Sequence, residues 1–285
     1  MNVLFFCTRW GSDAIGLKKF VEKALAAGYD GIEAGVPSDL PAAELEELFS
    51  EAGRHHLRVI LQHYDTYEAD FEEHKRRYAA WFEKIKPYRP FLINSQTGKD
   101  FFSMQQNLEI IAIADGFSAR YNIPVVHETH RNKFSFACHI THAYLQAEPS
   151  LRLALDISHW VNVAESFLDD QPQAVSMALE RAAHIHARVG FPEGPQVPDP
   201  RDPRWAEAVE THCRWWDRIV EQTHRHDTGA TVTFTPEFGP YPYLINTPFT
   251  DEPIANQWDI NVHMMQLLRS RYQPYISGIP ANISA

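Results

Sequence analysis

Cysteine is scarce. Cys7, Cys138 and Cys213 stand far apart among 285 residues, and no two form a C-x-x-C pair. An odd, scattered set fits a reducing compartment and excludes a cysteine zinc site. Long apolar runs are missing too, and none is long enough to span a bilayer. Basic charge is in deficit: 26 Lys and Arg against 37 Asp and Glu leave a net charge of −11. That balance disfavours nucleic acid as a partner, because polyanion binding rests on basic surface. No basic region precedes the apolar residues of "MNVLFFCTRWG", so this stretch reads as a first strand and not as a signal peptide, and a cytoplasmic location is expected. Low-complexity linkers are also lacking.

What is present is a soluble globular composition, 44% hydrophobic and 22% charged, long enough for one large α/β barrel or two ordinary domains. The chain alternates. "NVLFFCT" reads as a strand, and Leu17, Phe20, Val21, Ala24 and Leu25 follow at helical spacing up to "AAGYD". "GIEAGV", "LRVILQH", "FLINSQ", "IPVVHE", "RLALD", "HIHAR" and "TVTFTPE" are the next seven strands, each followed by a helical pattern. The second helix opens at Pro41, the third covers about 68 to 85, and the last is "IANQWDINVHMMQLLRSRY". Parallel strands need crossovers, and helices are the usual ones. Eight such units point to a single (β/α)₈ TIM barrel over residues 1–285. A doubly wound open sheet would usually carry a glycine-rich phosphate loop after its first strand, and "TRWGSDAIG" is not one. The Pro-rich stretch from 189 to 204 follows the seventh strand and is expected to lie as a loop over the barrel mouth.

Four successive strands end on residues that carry chemistry. The fifth ends on Glu128, the sixth on Asp156, and the eighth on Glu237, while the seventh holds His184, His186 and then Arg188. Singly, each has a plain structural reading: Asp156 as a helix N-cap, His184 as a hydrogen-bonded core histidine, a lone Glu as a solvated rim residue. Together they meet at the C-terminal mouth, where active sites of such barrels are found. Alternation along the eighth strand puts Thr231, Thr233, Thr235 and Glu237 on one face and Val232 and Phe234 on the other, so the polar face points inward. Three carboxylates converging without a cation would repel and would have to protonate. One divalent metal resolves the conflict, and a mostly oxygen site favours Mn²⁺, Mg²⁺ or Co²⁺, with Zn²⁺ also admitted.

The segments "GYDGIE", "VVHETH", "LALDISHW", "HIHARVG" and "TPEFGP" resemble the xylose-isomerase-like TIM-barrel superfamily, which includes ketose 3-epimerases, hydroxypyruvate isomerase, inosose dehydratase and apurinic-site endonucleases. The resemblance runs over nearly the whole chain. It implies metal ligands Glu128, Asp156, His186 and Glu237, with His186 preferred over His184 as the one nearer the mouth. It further implies a substrate contact from His159, the histidine of the D-x-x-H segment, and from Arg188. The endonuclease branch needs extra histidines on early strands. Here the second strand offers Glu33, the fourth offers "NSQ", and only the third ends on a histidine, His63.

The reaction these residues suggest is proton transfer at a carbon next to a carbonyl. A hydroxy-ketone chelates the metal, one of Glu128 and Glu237 removes a proton, and the other returns it, giving an isomerase or epimerase that works through an enediolate. His63 and Gln96 are further candidates for substrate contact, and Trp10 and Trp160 for packing on a sugar face. A dehydratase or lyase on a keto-sugar, keto-inositol or keto-glycoside would use the same first step. A non-catalytic sugar sensor or a nucleic-acid enzyme are the readings from other classes. With no phosphate loop, no Lys/Arg cluster near the last two strands, and Lys99 and Arg131 standing apart, a neutral carbohydrate is the favoured substrate. No membrane partner is expected, and a homodimer is compatible with outer helices that pair between subunits.

Overall fold

Eight short parallel strands close on themselves in sequence order. They are β1 (Asn2–Thr8), β2 (Gly31–Gly35), β3 (Arg58–His63), β4 (Leu92–Ser95), β5 (Val125–Glu128), β6 (Leu153–Leu155), β7 (Ala182–His186) and β8 (Thr231–Thr235). Leu4 lies beside Thr233 and Phe5 beside Phe234 where β8 returns to β1. The computed structural model describes residues 1–275. The last part of the expected domain, 276–285, lies outside the described residues.

The crossovers are helices: α1 (Leu17–Ala27), α2 (Ala42–Arg54), α3 (Phe71–Ile85), α4 (Met104–Tyr121), α5 (Cys138–Ala147), α6 (Ser158–Ala164), α7 (Pro172–Arg181), α8 (Ala206–His226) and α9 (Gln257–Arg271). Local chemistry sets their starts. Asp70 caps α3 by accepting from the Glu73 amide at 2.9 Å, which is why this helix begins at Phe71 and not near 68. Ser103 and Gln106 form a reciprocal capping box on α4. The sixth strand is followed by two helices where one was expected. The extra one, α6, has seven residues, too few for a helical period to show. No described helix is long and apolar enough to cross a membrane.

Two apolar layers hold the barrel. The larger lies between strands and helices and takes the outward residues, such as Val59, Leu61, Ile93, Ile185, Val232 and Phe234. The smaller is the barrel floor: Phe6, Ile60, Leu92, Val126 and Ala154, with Leu4 against them. Phe6 fits there because β2 carries Gly31 opposite it; a Cβ on Gly31 would lie 2.4 Å from the Phe6 ring and 2.5 Å from the Arg58 carbonyl oxygen. Two residues further along β2 to β6, the same inward face turns polar. Gly31 gives way to Glu33, Ile60 to Gln62, Leu92 to Asn94, Val126 to Glu128 and Ala154 to Asp156, while β7 and β8 are polar at both levels, with His184 and His186, and Thr233 and Thr235. All of these polar side chains are buried. The fold thus stacks a polar layer on an apolar floor, facing the C-terminal mouth.

Candidate active site at the barrel mouth

Glu128, Asp156, His186 and Glu237 meet in this layer. Each offers a ligand atom within 4.8 Å of the others'. Glu128 closes β5, and Asp156 follows β6 directly. His186 closes β7, and Glu237 lies two residues past β8. Gln62 Nε2 donates to Glu128 Oε2 at 3.0 Å and to Glu237 Oε1 at 3.3 Å, so one amide holds both carboxylates. Asn94 Nδ2 donates to the same Glu128 oxygen at 3.0 Å, and Gln96 Nε2 to the other at 3.2 Å. Asp156 is paired with Arg188 and accepts from the Ser158 amide at 3.1 Å.

His186 is held from both sides. Its Nε2 lies 3.0 Å from Glu33 Oε1, and its Nδ1 lies 2.9 Å from Glu237 Oε2 and 3.9 Å from Glu128 Oε1. Glu33 also accepts from Asn94 at 3.0 Å and from Thr235, and lies 3.0 Å from His184 Nε2.

The electrostatics follow from burial. Glu128 is pushed up to about 7 by loss of solvent and by Glu237 and Asp156, although His186 and the Gln62 amide pull it down. Asp156 is raised by burial, against the pull of Arg188 and His186. Burial alone would lower His186, but Glu237, Glu33 and Glu128 together hold it well above its ordinary value.

These residues fit a divalent metal. Three buried carboxylates crowd one imidazole, and His186 Nδ1 makes no well-formed hydrogen bond although it faces the carboxylates. With Nε2–H donating to Glu33, loss of the second ring proton to an incoming metal would leave Nδ1 as the lone pair the metal requires, the carboxylate–histidine arrangement that fixes a ligating tautomer.

Comparisons with protein-family models and with curated proteins found no match. Solved structures do match. The chain is similar to the probable 3-DHS dehydratase AsbF from Bacillus anthracis, described as involved in petrobactin synthesis, over 95% of this chain and 100% of that one (TM-score 0.60, 19% identity). It is similar to endonuclease IV from Thermus thermophilus over 96% and 99% (TM-score 0.54, 13% identity). The AP endonuclease, family 2, from Brucella melitensis matches over 84% and 93% (TM-score 0.52, 12% identity). The likeness to these structures shows the fold, a closed (β/α)₈ barrel.

In this barrel, a cavity of about 710 Å³ opens above the cluster. Glu128 and Glu237 reach its wall together with Gln62, Gln96 and Arg188, whereas Asp156 and His186 lie behind them. Arg188 lies flat over Tyr243, 4.7 Å from the ring centre. His159, expected to touch substrate, is not on the wall. Its Nε2 lies 2.7 Å from Arg188 and its ring 4.1 Å from that of His130, and it is His130 that faces the cavity.

The expectation for His63 is corrected. Since Gln62 points inward, His63 must point out. It sits between the rings of Tyr78 and Trp81, with Nε2 2.7 Å from Thr66 Oγ1, and does not line the cavity. Trp10 does line the cavity, with Gly239 giving it room: a Cβ there would lie 2.2 Å from the indole. Trp160 does not; it is buried and donates to the Ser135 carbonyl at 2.8 Å. The 189–204 loop folds aside, with Gln196 bracketing the backbone of Gly239, and none of its residues lines the cavity. Gln62, Asn94 and Glu33 complete the site without having been singled out for it.

Proposed function

We propose that this chain is a divalent-metal-dependent isomerase or epimerase that moves a proton at the carbon beside the carbonyl of a ketose-like substrate. One observation carries the reading. Of the four clustered residues, the two carboxylates assigned to proton transfer, Glu128 and Glu237, are the two that reach the cavity. Glu128, Asp156, His186 and Glu237 would hold one ion, Mn²⁺, Mg²⁺, Co²⁺ or Zn²⁺. When bound, it supplies the positive charge that acidifies the proton next to the carbonyl.

The chain's own residues do the rest. Gln62 keeps Glu128 and Glu237 at a constant span, so that one takes the proton and the other returns it. Arg188 presents a guanidinium to the oxygens on which charge develops in an enediolate. Elimination of water or an aglycone begins with the same abstraction, and the similar AsbF is described as a probable 3-DHS dehydratase.

The test is metal-loaded protein incubated with ketoses, keto-inositols and keto-glycosides, read by product mass and by exchange of the α-proton with deuterated solvent. Exchange without mass loss identifies the isomerase or epimerase, and loss of a water or an aglycone the lyase. Glu128→Gln and Glu237→Gln are each expected to lower turnover by about 10²–10⁴-fold. Full turnover in Glu237→Gln would end the two-carboxylate mechanism.

A further inference from the structure

Four cations stand on the cavity wall: Arg9, Arg131, Lys133 and Arg188. Three are engaged by the protein. Arg188 is paired with Asp156. Arg9 donates to the carbonyls of Ser12 at 3.3 Å and Ile15 at 3.1 Å and lies over Phe20. Arg131 donates to Asn162 Oδ1 at 2.7 Å and to the Tyr243 hydroxyl at 3.2 Å.

Lys133 is different. The residue is 2% exposed, and among the described residues its side chain makes only one hydrogen bond, a long one from Nζ to the Tyr64 carbonyl at 3.5 Å, with the Tyr67 ring centre 5.3 Å from Nζ. No described carboxylate lies within ion-pair distance. The acids nearest in effect are held at one oxygen each or more: Asp65 Oδ2 accepts from the Ser38 amide at 2.7 Å and Glu68 Oε1 is paired with Arg77 at 2.6 Å, their second oxygens making no hydrogen bond and lying beyond ion-pair distance of Lys133, and Glu128 is held by three side-chain amides. Lys99, itself 5% exposed, adds a second positive charge nearby.

A buried ammonium keeps three N–H donors and forfeits its hydration, so leaving it without an anion is strongly unfavourable. An anion can reach it from the cavity. Lys133 lines the same cavity as Glu128 and Glu237, and Tyr64, Tyr67, Gln96 and Asn132 are also on its wall.

We propose that Lys133 anchors an anion subsite of this cavity, and that the substrate carries a carboxylate or a phosphate in addition to its hydroxy-ketone. The substrate half of this statement rests on the function proposed above; the anion subsite does not. It replaces the expectation of a neutral sugar, which looked for basic residues near the last two strands. Lys133 lies after the fifth.

Two experiments on the whole protein test it. Thermal unfolding is followed in inorganic phosphate and in malonate, against chloride at equal ionic strength, for wild type, Lys133→Arg and Lys133→Gln. Wild type is expected to gain several degrees in phosphate or malonate, Lys133→Arg to keep part of the gain, and Lys133→Gln to lose it. No anion-specific gain in wild type, or an undiminished gain in Lys133→Gln, overturns the subsite.

Dihydroxyacetone, hydroxypyruvate and dihydroxyacetone phosphate are then compared by ligand-observed NMR in the presence of Mg²⁺. An anionic member is expected to bind about tenfold more tightly than dihydroxyacetone, with the gap closed in Lys133→Gln; which member gains separates carboxylate from phosphate. Equal affinities overturn the anionic substrate and leave the hydroxy-ketone reading standing. An anion-specific thermal gain lost in Lys133→Gln, with no hydroxy-ketone bound, sustains the subsite and overturns the proposed function.

Discussion

A carboxylate that meets two others in a dry place must take up a proton or find a cation. Glu128, pushed up to about 7 by burial and by its neighbours Glu237 and Asp156, shows the first half of that choice, and His186 answers the second. Which nitrogen of His186 is free depends on Glu33. Burial works against Glu33 ionising, yet His186 and His184 hold it well below the usual carboxylate range, so it stays an acceptor for Nε2–H. Glu33→Gln should therefore lower affinity for a divalent ion by about 10–100-fold, read by titrating metal into chelated protein. Unchanged affinity would reduce Glu33 to a packing role. Lys133 gives a residue-scale prediction with a definite sign. Burial, then Lys99, lower it from 10.5 to about 8, against Glu128, Asp65 and Glu68. Below pH 8 both folded and unfolded chains hold the proton, and the cost of the buried charge is present in full. Between pH 8 and 10.5 the unfolded chain keeps its proton longer, so stability rises with pH there. Lys133→Met should be more stable than wild type at pH 7.5, and urea unfolding should show the difference shrinking by on the order of 3 kcal/mol as pH approaches 10.5. A difference independent of pH would mean that the ammonium is already neutralised.

At the scale of the element, alternation along a strand decides which side chain meets substrate, and it is visible only where the two faces differ. In β8, Thr231, Thr233 and Thr235 alternate with Val232 and Phe234, so the inward aim of Glu237 was legible from the sequence. The eightfold alternation of strands and helices, and the residues of β5 to β8 that cluster, were legible for the same reason. In β3, "RVILQH" is apolar on both faces because helices cover one and the barrel floor the other, and nothing in the string says whether Gln62 or His63 faces in. Chemistry favoured the histidine, and the register chose the amide. The same ambiguity hid Asn94 in β4, while Lys133 sits on a loop that has no period at all. The two β3 neighbours therefore separate cleanly by experiment. Gln62→Ala frees both Glu128 and Glu237 and should lower turnover by about 10²-fold with little loss of stability. His63→Ala opens a hole between Tyr78 and Trp81 and should cost about 2–4 kcal/mol in urea unfolding while leaving KM unchanged. The opposite pattern would mean that β3 is turned by one residue.

At the scale of the whole molecule, the barrel closes around charge that it does not fully balance. Glu128, Asp156 and Glu237 bring three carboxylates, with Glu33 directly beneath, while Arg188 and a protonated His186 supply two positive charges. Without an ion, the chain can balance these three carboxylates only by keeping a proton on both His186 and Glu128. A divalent ion removes the need for both, and it binds the folded chain alone, because β5, β6, β7 and β8 assemble the cluster only when the barrel has closed. Mass action then links metal to the stability of the entire fold. At an ion concentration a thousand times Kd, the gain is about 4 kcal/mol. For a chain of this size that corresponds to roughly 8 °C in Tm, at about 2 °C per kcal/mol. Scanning calorimetry of chelated protein against protein with increasing Mn²⁺ should show Tm climbing with the logarithm of the ion concentration. Asp156→Asn should flatten that climb, and elemental analysis of the wild type should find close to one ion per chain. A Tm indifferent both to divalent ions and to chelator would mean that Arg188 and His186 already neutralise the mouth. The proton chemistry would then have to run on Glu128 and Glu237 without an ion between them.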